Sequence, residues 1–263
     1  MTLPVSECGG RPAGKSRWLL RPPSPAFGAR LFCFPYSGCG ATMYRRWPAN
    51  IGPVEICPLQ LPGRENRTRE PHYGTYEQLA DSLSPALLPY LDRPYGFFGH
   101  CGGVLPGFET AIRLVEHGCR PPAHFFVSAE VAPHDGPFGR FLWMPPGELR
   151  GEIRQLSTAV SGVEPLPEMV DFLLEVLMAD LEANRRYRKS APVALPCPIT
   201  VFHWDQDPDV KLDLMSGWRD CGSTRFQTLK GGHYQFLDAP EALLNEIRQD
   251  LEAALDIAGD TPG

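Results

Sequence analysis

The chain lacks the features that would direct it to a membrane, a nucleic acid or a structural metal. No apolar run among its 263 residues is long enough to cross a bilayer. The opening Met1-Thr2-Leu3-Pro4-Val5-Ser6-Glu7-Cys8 lacks the basic-then-apolar order of a secretory leader, so a cytoplasmic protein is expected. Positive charge is in deficit. Lys and Arg number 25 against 31 Asp and Glu, a formal net charge of −6, which argues against nucleic acid as a general partner. None of the eight cysteines forms a C-x-x-C pair, and the seven histidines show no ligand spacing. A structural zinc site is therefore not expected, and in a cytoplasmic setting the cysteines read as reduced thiols. No internal repeat is visible. Proline, by contrast, is plentiful at 29 residues, and it gathers in connections such as Pro22-Pro23-Ser24-Pro25, Pro121-Pro122 and Pro145-Pro146.

What is present is an alternation of apolar strands and helical periods. Residues 1–28 read as a loose arm. Strands are expected from Ala29 to Pro35, Val54 to Leu59, Tyr95 to Phe98, His124 to Ser128, Pro198 to Phe202 and Arg225 to Leu229. Helical periods lie between them, at Met43 to Trp47, about 75 to 91, after Gly102, and from Pro240 to Ile257. Between about 137 and 192 the rhythm changes to helix alone, with periods at Glu148 to Leu156 and Met169 to Tyr187. Segments 29–136 and 193–263 then form an α/β core with a mostly parallel sheet, and 137–192 reads as an inserted lid over the strand ends. Within the lid, Val170, Phe172, Leu173, Val176 and Leu177 are candidates for helix packing or for the wall of an acyl tunnel.

The chemistry concentrates in Gly99-His100-Cys101-Gly102-Gly103, between a strand and a helix. This is the G-x-S-x-G nucleophile elbow with cysteine at its apex. Amides at the start of the following helix are expected to favour a thiolate and a developing oxyanion. The base expected for Cys101 is His233, in Lys230-Gly231-Gly232-His233 after the last strand. His100 reads as structural, because neighbouring side chains on an elbow point apart, and His203 as core or wall. Three carboxylates compete to orient the base. Asp207 is preferred, because it precedes proline at a loop tip; Asp205 is second, and Glu130, just past the strand at Phe125 to Ser128, is third. The oxyanion hole would use the amide of Gly102 and one from the turn after the first strand, where Ser37-Gly38 lies. Gly38-Cys39-Gly40 is not read as a dinucleotide fingerprint, since it lacks a third glycine and a matching acid.

Leu31-Phe32-Cys33-Phe34-Pro35-Tyr36, Gln60-Leu61-Pro62-Gly63-Arg64-Glu65, Phe98-Gly99-His100, Asp205-Gln206-Asp207-Pro208 and Gly231-Gly232-His233 run nearly end to end. Together they make the chain resemble the type II thioesterases of polyketide and nonribosomal peptide assembly lines, which have the α/β-hydrolase fold. The resemblance implies a triad of Cys101, Asp207 and His233, with the Ser37 and Gly102 amides around the oxyanion. It implies an acyl or peptidyl carrier protein, bearing a phosphopantetheine thioester, as partner, and no metal or redox cofactor. A monomer is the default for such lidded enzymes.

Two residues depart from the family pattern: cysteine stands where serine is usual, and Gly102 replaces a bulkier residue. A cysteine exchanges one thioester for another almost isoenergetically. Hydrolytic release is the first expectation, transfer or cyclisation the second, and a non-catalytic carrier-binding protein the third. Arg45-Arg46, Arg64 with Arg67 and Arg69, and Arg185-Arg186 with Arg188-Lys189 are basic clusters that could steer an acidic carrier or simply face solvent.

Overall fold

Strand and helix alternate through the computed structural model, which describes residues 16–259. Its sheet has seven strands: β1 (Ala29–Cys33), β2 (Asn50–Ile51), β3 (Val54–Pro58), β4 (Tyr95–His100), β5 (His124–Ser128), β6 (Ile199–Trp204) and β7 (Thr224–Leu229). Their spatial order is β2-β3-β1-β4-β5-β6-β7. Every pair is parallel except β2 with β3. Every residue of β1, β4 and β5 is buried. Successive strand residues point to opposite faces, so the centre of the sheet is covered on both sides, and continuous rather than alternating apolar runs suit it. Edge strand β7 is mostly half-exposed. The two residues of β2 were not expected from sequence, because so short a segment carries no period.

Helix α1 (Tyr76–Leu87) starts at a Thr75/Gln78 capping box and packs against α2 (Val104–Glu116), while α5 (Glu241–Gly259) lies against β1, β2, β3 and β5. Between β5 and β6, segment 137–192 carries a short 3₁₀ turn at Arg140–Trp143, then α3 (Pro146–Ser161) and α4 (Pro167–Arg186). Each of these two helices buries one stripe. In α3 it is Leu149, Ile153 and Leu156; in α4 it includes Val170, Leu174, Leu177 and Leu181. The unexpected addition is a long 3₁₀ segment at Leu212–Cys221 that buries Met215 and Trp218.

Of the expected loose arm, residues 1–15 lie outside the described residues. From Ser16 onward the chain is tied down: Leu19 is buried and bridges Leu59, and the Trp18 carbonyl accepts the Gln60 amide at 2.8 Å. The carboxyl ends of β4 to β7 converge, and the loops there carry the reactive groups.

Candidate active site

Cys101 sits directly after β4 at φ +48°, in the left-handed region that a side chain normally avoids. The elbow around it leaves no room for other side chains. A Cβ at Gly99 would lie 2.5 Å from the Gly103 carbonyl oxygen, and one at Gly103 would lie 2.7 Å from that of Pro35. A 3₁₀ turn occupies Cys101–Gly103, so α2 begins at Val104 rather than at Gly102. A Cβ at Gly102 would come within 2.3 Å of the Ser37 hydroxyl oxygen. The glycine thus makes space for Ser37, and both residues line the Cys101 cavity.

His233 and Asp207 arrive from the loops after β7 and β6. Nδ1 of His233 meets Oδ2 of Asp207 at 2.7 Å. The other carboxylate oxygen, Oδ1, accepts the amides of Asp209 at 2.8 Å and Val210 at 3.1 Å. Against its own burial, the histidine and these two amides hold the Asp207 pKa below the usual carboxylate value. Asp205 is turned elsewhere, toward the Lys230 ammonium at 2.8 Å and the Gly231 amide at 2.9 Å. Glu130 lines the cavity beside Cys101 and His233, with one oxygen on the Val131 amide at 2.9 Å. Of the three competing carboxylates, Asp207 is the one bonded to the histidine. His100 has a supporting place: Nδ1 meets the Ser128 hydroxyl at 2.8 Å, and the ring stacks on Phe236. Asp207, Asp209 and His233 bring ligand-type atoms within 4.8 Å of one another, but Asp207 is committed to His233 and Asp209 to Arg140.

The electrostatics correct one expectation. Burial, then the Glu130 carboxyl, push the Cys101 thiol well above its ordinary pKa; the Gly102 amide and the Tyr36 hydroxyl pull it down less. Removing water outweighs the amides at the turn, so the surroundings of Cys101 favour the neutral thiol over a preformed thiolate. Tyr36 was quoted in a motif but given no role. Its ring lies 5.9 Å from that of His233, and its hydroxyl also bonds that of Tyr234.

Sequence reasoning also missed Asp180. This buried α4 carboxylate takes both Arg64 guanidinium nitrogens at 2.7 Å, the Gly38 amide at 2.7 Å, His72 Nε2 at 2.7 Å and the Tyr73 hydroxyl at 2.7 Å. These partners hold its pKa far below the carboxylate range against its burial. Only its mid-helix position among apolar residues could have flagged it. Arg64 is consequently 3 % exposed and unavailable to a docking partner. Arg67 is buried too, with Glu70 and the Trp18 ring, whereas Arg45 and Arg69 are exposed.

Two cavities meet at Ser37. One, of about 40 Å³, holds Cys101, His233, Glu130 and Asn184. The other, of about 590 Å³, runs between Ser37–Arg45 and the apolar faces of α3 and α4, including Ile153, Phe172 and Leu177.

Known proteins are similar to this chain in sequence and in fold. The Thioesterase domain profile matches residues 29–251. "Linear gramicidin dehydrogenase LgrE" of Brevibacillus parabrevis is 36% identical over 91% of this chain and 94% of its own length. "Thioesterase PikA5" of Streptomyces venezuelae is 31% identical over 89% of this chain and 85% of its own. Among solved structures, the RedJ thioesterase of the prodiginine pathway in Streptomyces coelicolor is 33% identical, with a TM-score of 0.75, over 91% of this chain and all of its own. The LgrE and PikA5 names differ in the reaction they state, so the name of a relative does not by itself fix the chemistry. With a profile that spans sheet and lid, and relatives above 30% identity over nearly their full lengths, the chain belongs to the thioesterase domain family.

Proposed function

We propose that this chain is a thioesterase that acts in trans on acyl or aminoacyl groups tethered to the phosphopantetheine arm of a carrier protein in natural-product biosynthesis. The observation that carries the reading is the 2.7 Å His233–Asp207 bond beside a cysteine held at φ +48° in one cavity. Asp207 fixes the histidine with Nδ1 as donor, leaving Nε2 free to act as base. Nε2 takes the proton from the neutral thiol as Sγ attacks the thioester carbonyl. The oxyanion is held by the Gly102 and Ser37 amides. Collapse breaks the carbonyl bond to pantetheine sulfur, which leaves with the proton from His233. Water, deprotonated by His233, then attacks acyl-Cys101 and releases the acid and the thiol.

The pantetheine arm fits the groove under the lid, which opens beside Ser37 and is walled by apolar side chains. Exposed Arg45 lines that groove and provides a cation for an acidic carrier. Transfer or cyclisation is the second reading, favoured by the sulfur nucleophile itself, whose acyl form stays activated toward thiols, amines and carbanions.

Intact-protein mass spectrometry after mixing with an acyl-pantetheine distinguishes these readings. An adduct on Cys101 that decays in water alone is the expected result. A lasting adduct cleared only by an added acceptor would make the protein a transferase or cyclase. No adduct with any carrier-linked thioester would refute covalent catalysis.

A further inference from the structure

Two polar side chains that this chemistry does not use face the same small cavity as Cys101. Glu130, just past β5, is 3 % exposed, and no cation pairs with it among the described residues. After burial itself, it is the largest influence on the Cys101 thiol. Asn184, on α4, is also 3 % exposed, and its Oδ1 is buried with no hydrogen-bond partner. Glu130 has one oxygen on the Val131 amide and no cationic partner, while Asn184 Oδ1 is a buried acceptor without a donor, which is destabilising.

The cavity's cation is already engaged. Arg140 gives NH1 and NH2 to Glu152 at 2.6 and 2.7 Å and Nε to Asp209 at 3.0 Å. What remains is a compact space of about 40 Å³ in which Glu130 has no cationic partner and the Asn184 amide oxygen has no donor. An ammonium group suits it: it has donors only, carries positive charge and is small. In an aminoacyl thioester the α-nitrogen is two bonds from the reacting carbonyl carbon, so it stays inside this cavity when that carbon reaches Sγ. A carboxylate-bearing acyl group would instead meet like charge.

We infer that Glu130 and Asn184 form a recognition site for the α-ammonium of the substrate, so that aminoacyl thioesters are preferred over acyl thioesters lacking that nitrogen. The inference rests on the thioesterase reading above. Burial lifts the Glu130 carboxyl to about 8, and an ammonium beside it favours the ionised form.

The test compares S-alanyl- and S-propionyl-pantetheine, which differ in that nitrogen alone. The wild type is expected to show a kcat/KM ratio of about ten or more in favour of alanyl. Glu130→Gln should lower that ratio by roughly tenfold to a hundredfold, and Asn184→Leu by a few-fold. The ratio is internal to each variant, so a general loss of folded protein does not imitate the effect. A wild-type ratio near one, or equal losses on both substrates in Glu130→Gln, would overturn the inference. A second measurement needs no turnover: L-alaninamide should slow alkylation of Cys101 by iodoacetamide more than propionamide does. Equal protection by the two amides would also overturn the ammonium site. Failure to form any acyl adduct would sink the thioesterase reading while leaving this second measurement decisive.

Discussion

The cavity at Cys101 and the groove against α3 and α4 share Ser37 yet differ in size and in the polar groups they carry. The cavity is about 40 Å³ and sets Cys101, Glu130, Arg140 and His233 among apolar side chains such as Phe138, Phe141 and Leu142, with His233 bonded to Asp207 and Glu130 to a backbone amide. The groove is about 590 Å³ and walled largely by apolar side chains from α3 and α4. Hydrogen bonds are directional and discriminate between ligands, while apolar contact tolerates small changes of shape. On the proposed mechanism the chemistry and the choice of acyl group belong to the cavity, and the groove would tolerate variation.

The largest effect that would break this division is at the nucleophile. Cys101→Ala should abolish the adduct and lower turnover by at least about a thousandfold in a thiol-release assay. Turnover close to wild type would remove Cys101 from the chemistry. Asp207→Asn should lower kcat on the order of a thousandfold with little change in KM, because the histidine loses its oriented tautomer; a change confined to KM would contradict the role given to it.

Arg64→Met probes the joint between the two regions. It strips a buried carboxylate of its cation, a loss of about 3–5 kcal/mol, and should lower the melting temperature by roughly 10 °C. An unchanged melting temperature would mean that the pair does not hold the lid.

Glu130→Gln sharpens the comparison through pH. The folded-state pKa of Glu130 is raised from 4.5 to about 8, so the folded state holds its proton more tightly than the unfolded chain does. The contribution of Glu130 to stability should fall as pH rises from about 4.5 through about 8, and Gln at this position should remove that contribution while leaving those of buried His100 and His124 in both proteins. Cys101 and Tyr76, which also feel the Glu130 charge, titrate well above that window. The stabilisation of Glu130→Gln over wild type should be near zero at pH 4.5 and reach on the order of a few kcal/mol at pH 9, read from paired denaturation curves. A pH-independent difference would contradict an unpaired buried carboxyl. The smallest effect is in the groove, where Phe172→Ala should raise KM for a pantetheine substrate by less than about threefold. A large loss of kcat there would erase the distinction between the two regions.

The readable parts of the sequence were those in which one residue type has one physical reason to be present. The glycines around Cys101 and the apolar runs of β1, β4 and β5 placed the elbow and the centre of the sheet, because close approach and two-sided burial leave local marks. The choice among Asp205, Asp207 and Glu130 was not settled locally, since all three follow strands; the β7 loop decides it by bringing His233 to Asp207 and Lys230 to Asp205. Asp180 and Arg64 are 116 residues apart, and nothing near either one names its partner. The ionisation of Cys101 was misread for a related reason. The turn amides are visible in the sequence, while the dry cavity that opposes them is assembled from the loops after five strands and from segment 137–192.

The same Asp180 that grips Arg64 also grips the Gly38 amide. For protein engineering this sets the unit of exchange. A lid transplanted from a relative with altered acyl or carrier preference will lose the geometry of the Ser37-Gly38 turn unless it brings an acid at this helical position. The host, in turn, needs Arg64, His72 and Tyr73 to receive it. Chimaeras cut at 137 and 192 without regard to that quartet should fold around a misplaced Ser37-Gly38 turn, and those that conserve it should keep that turn in place while changing what enters.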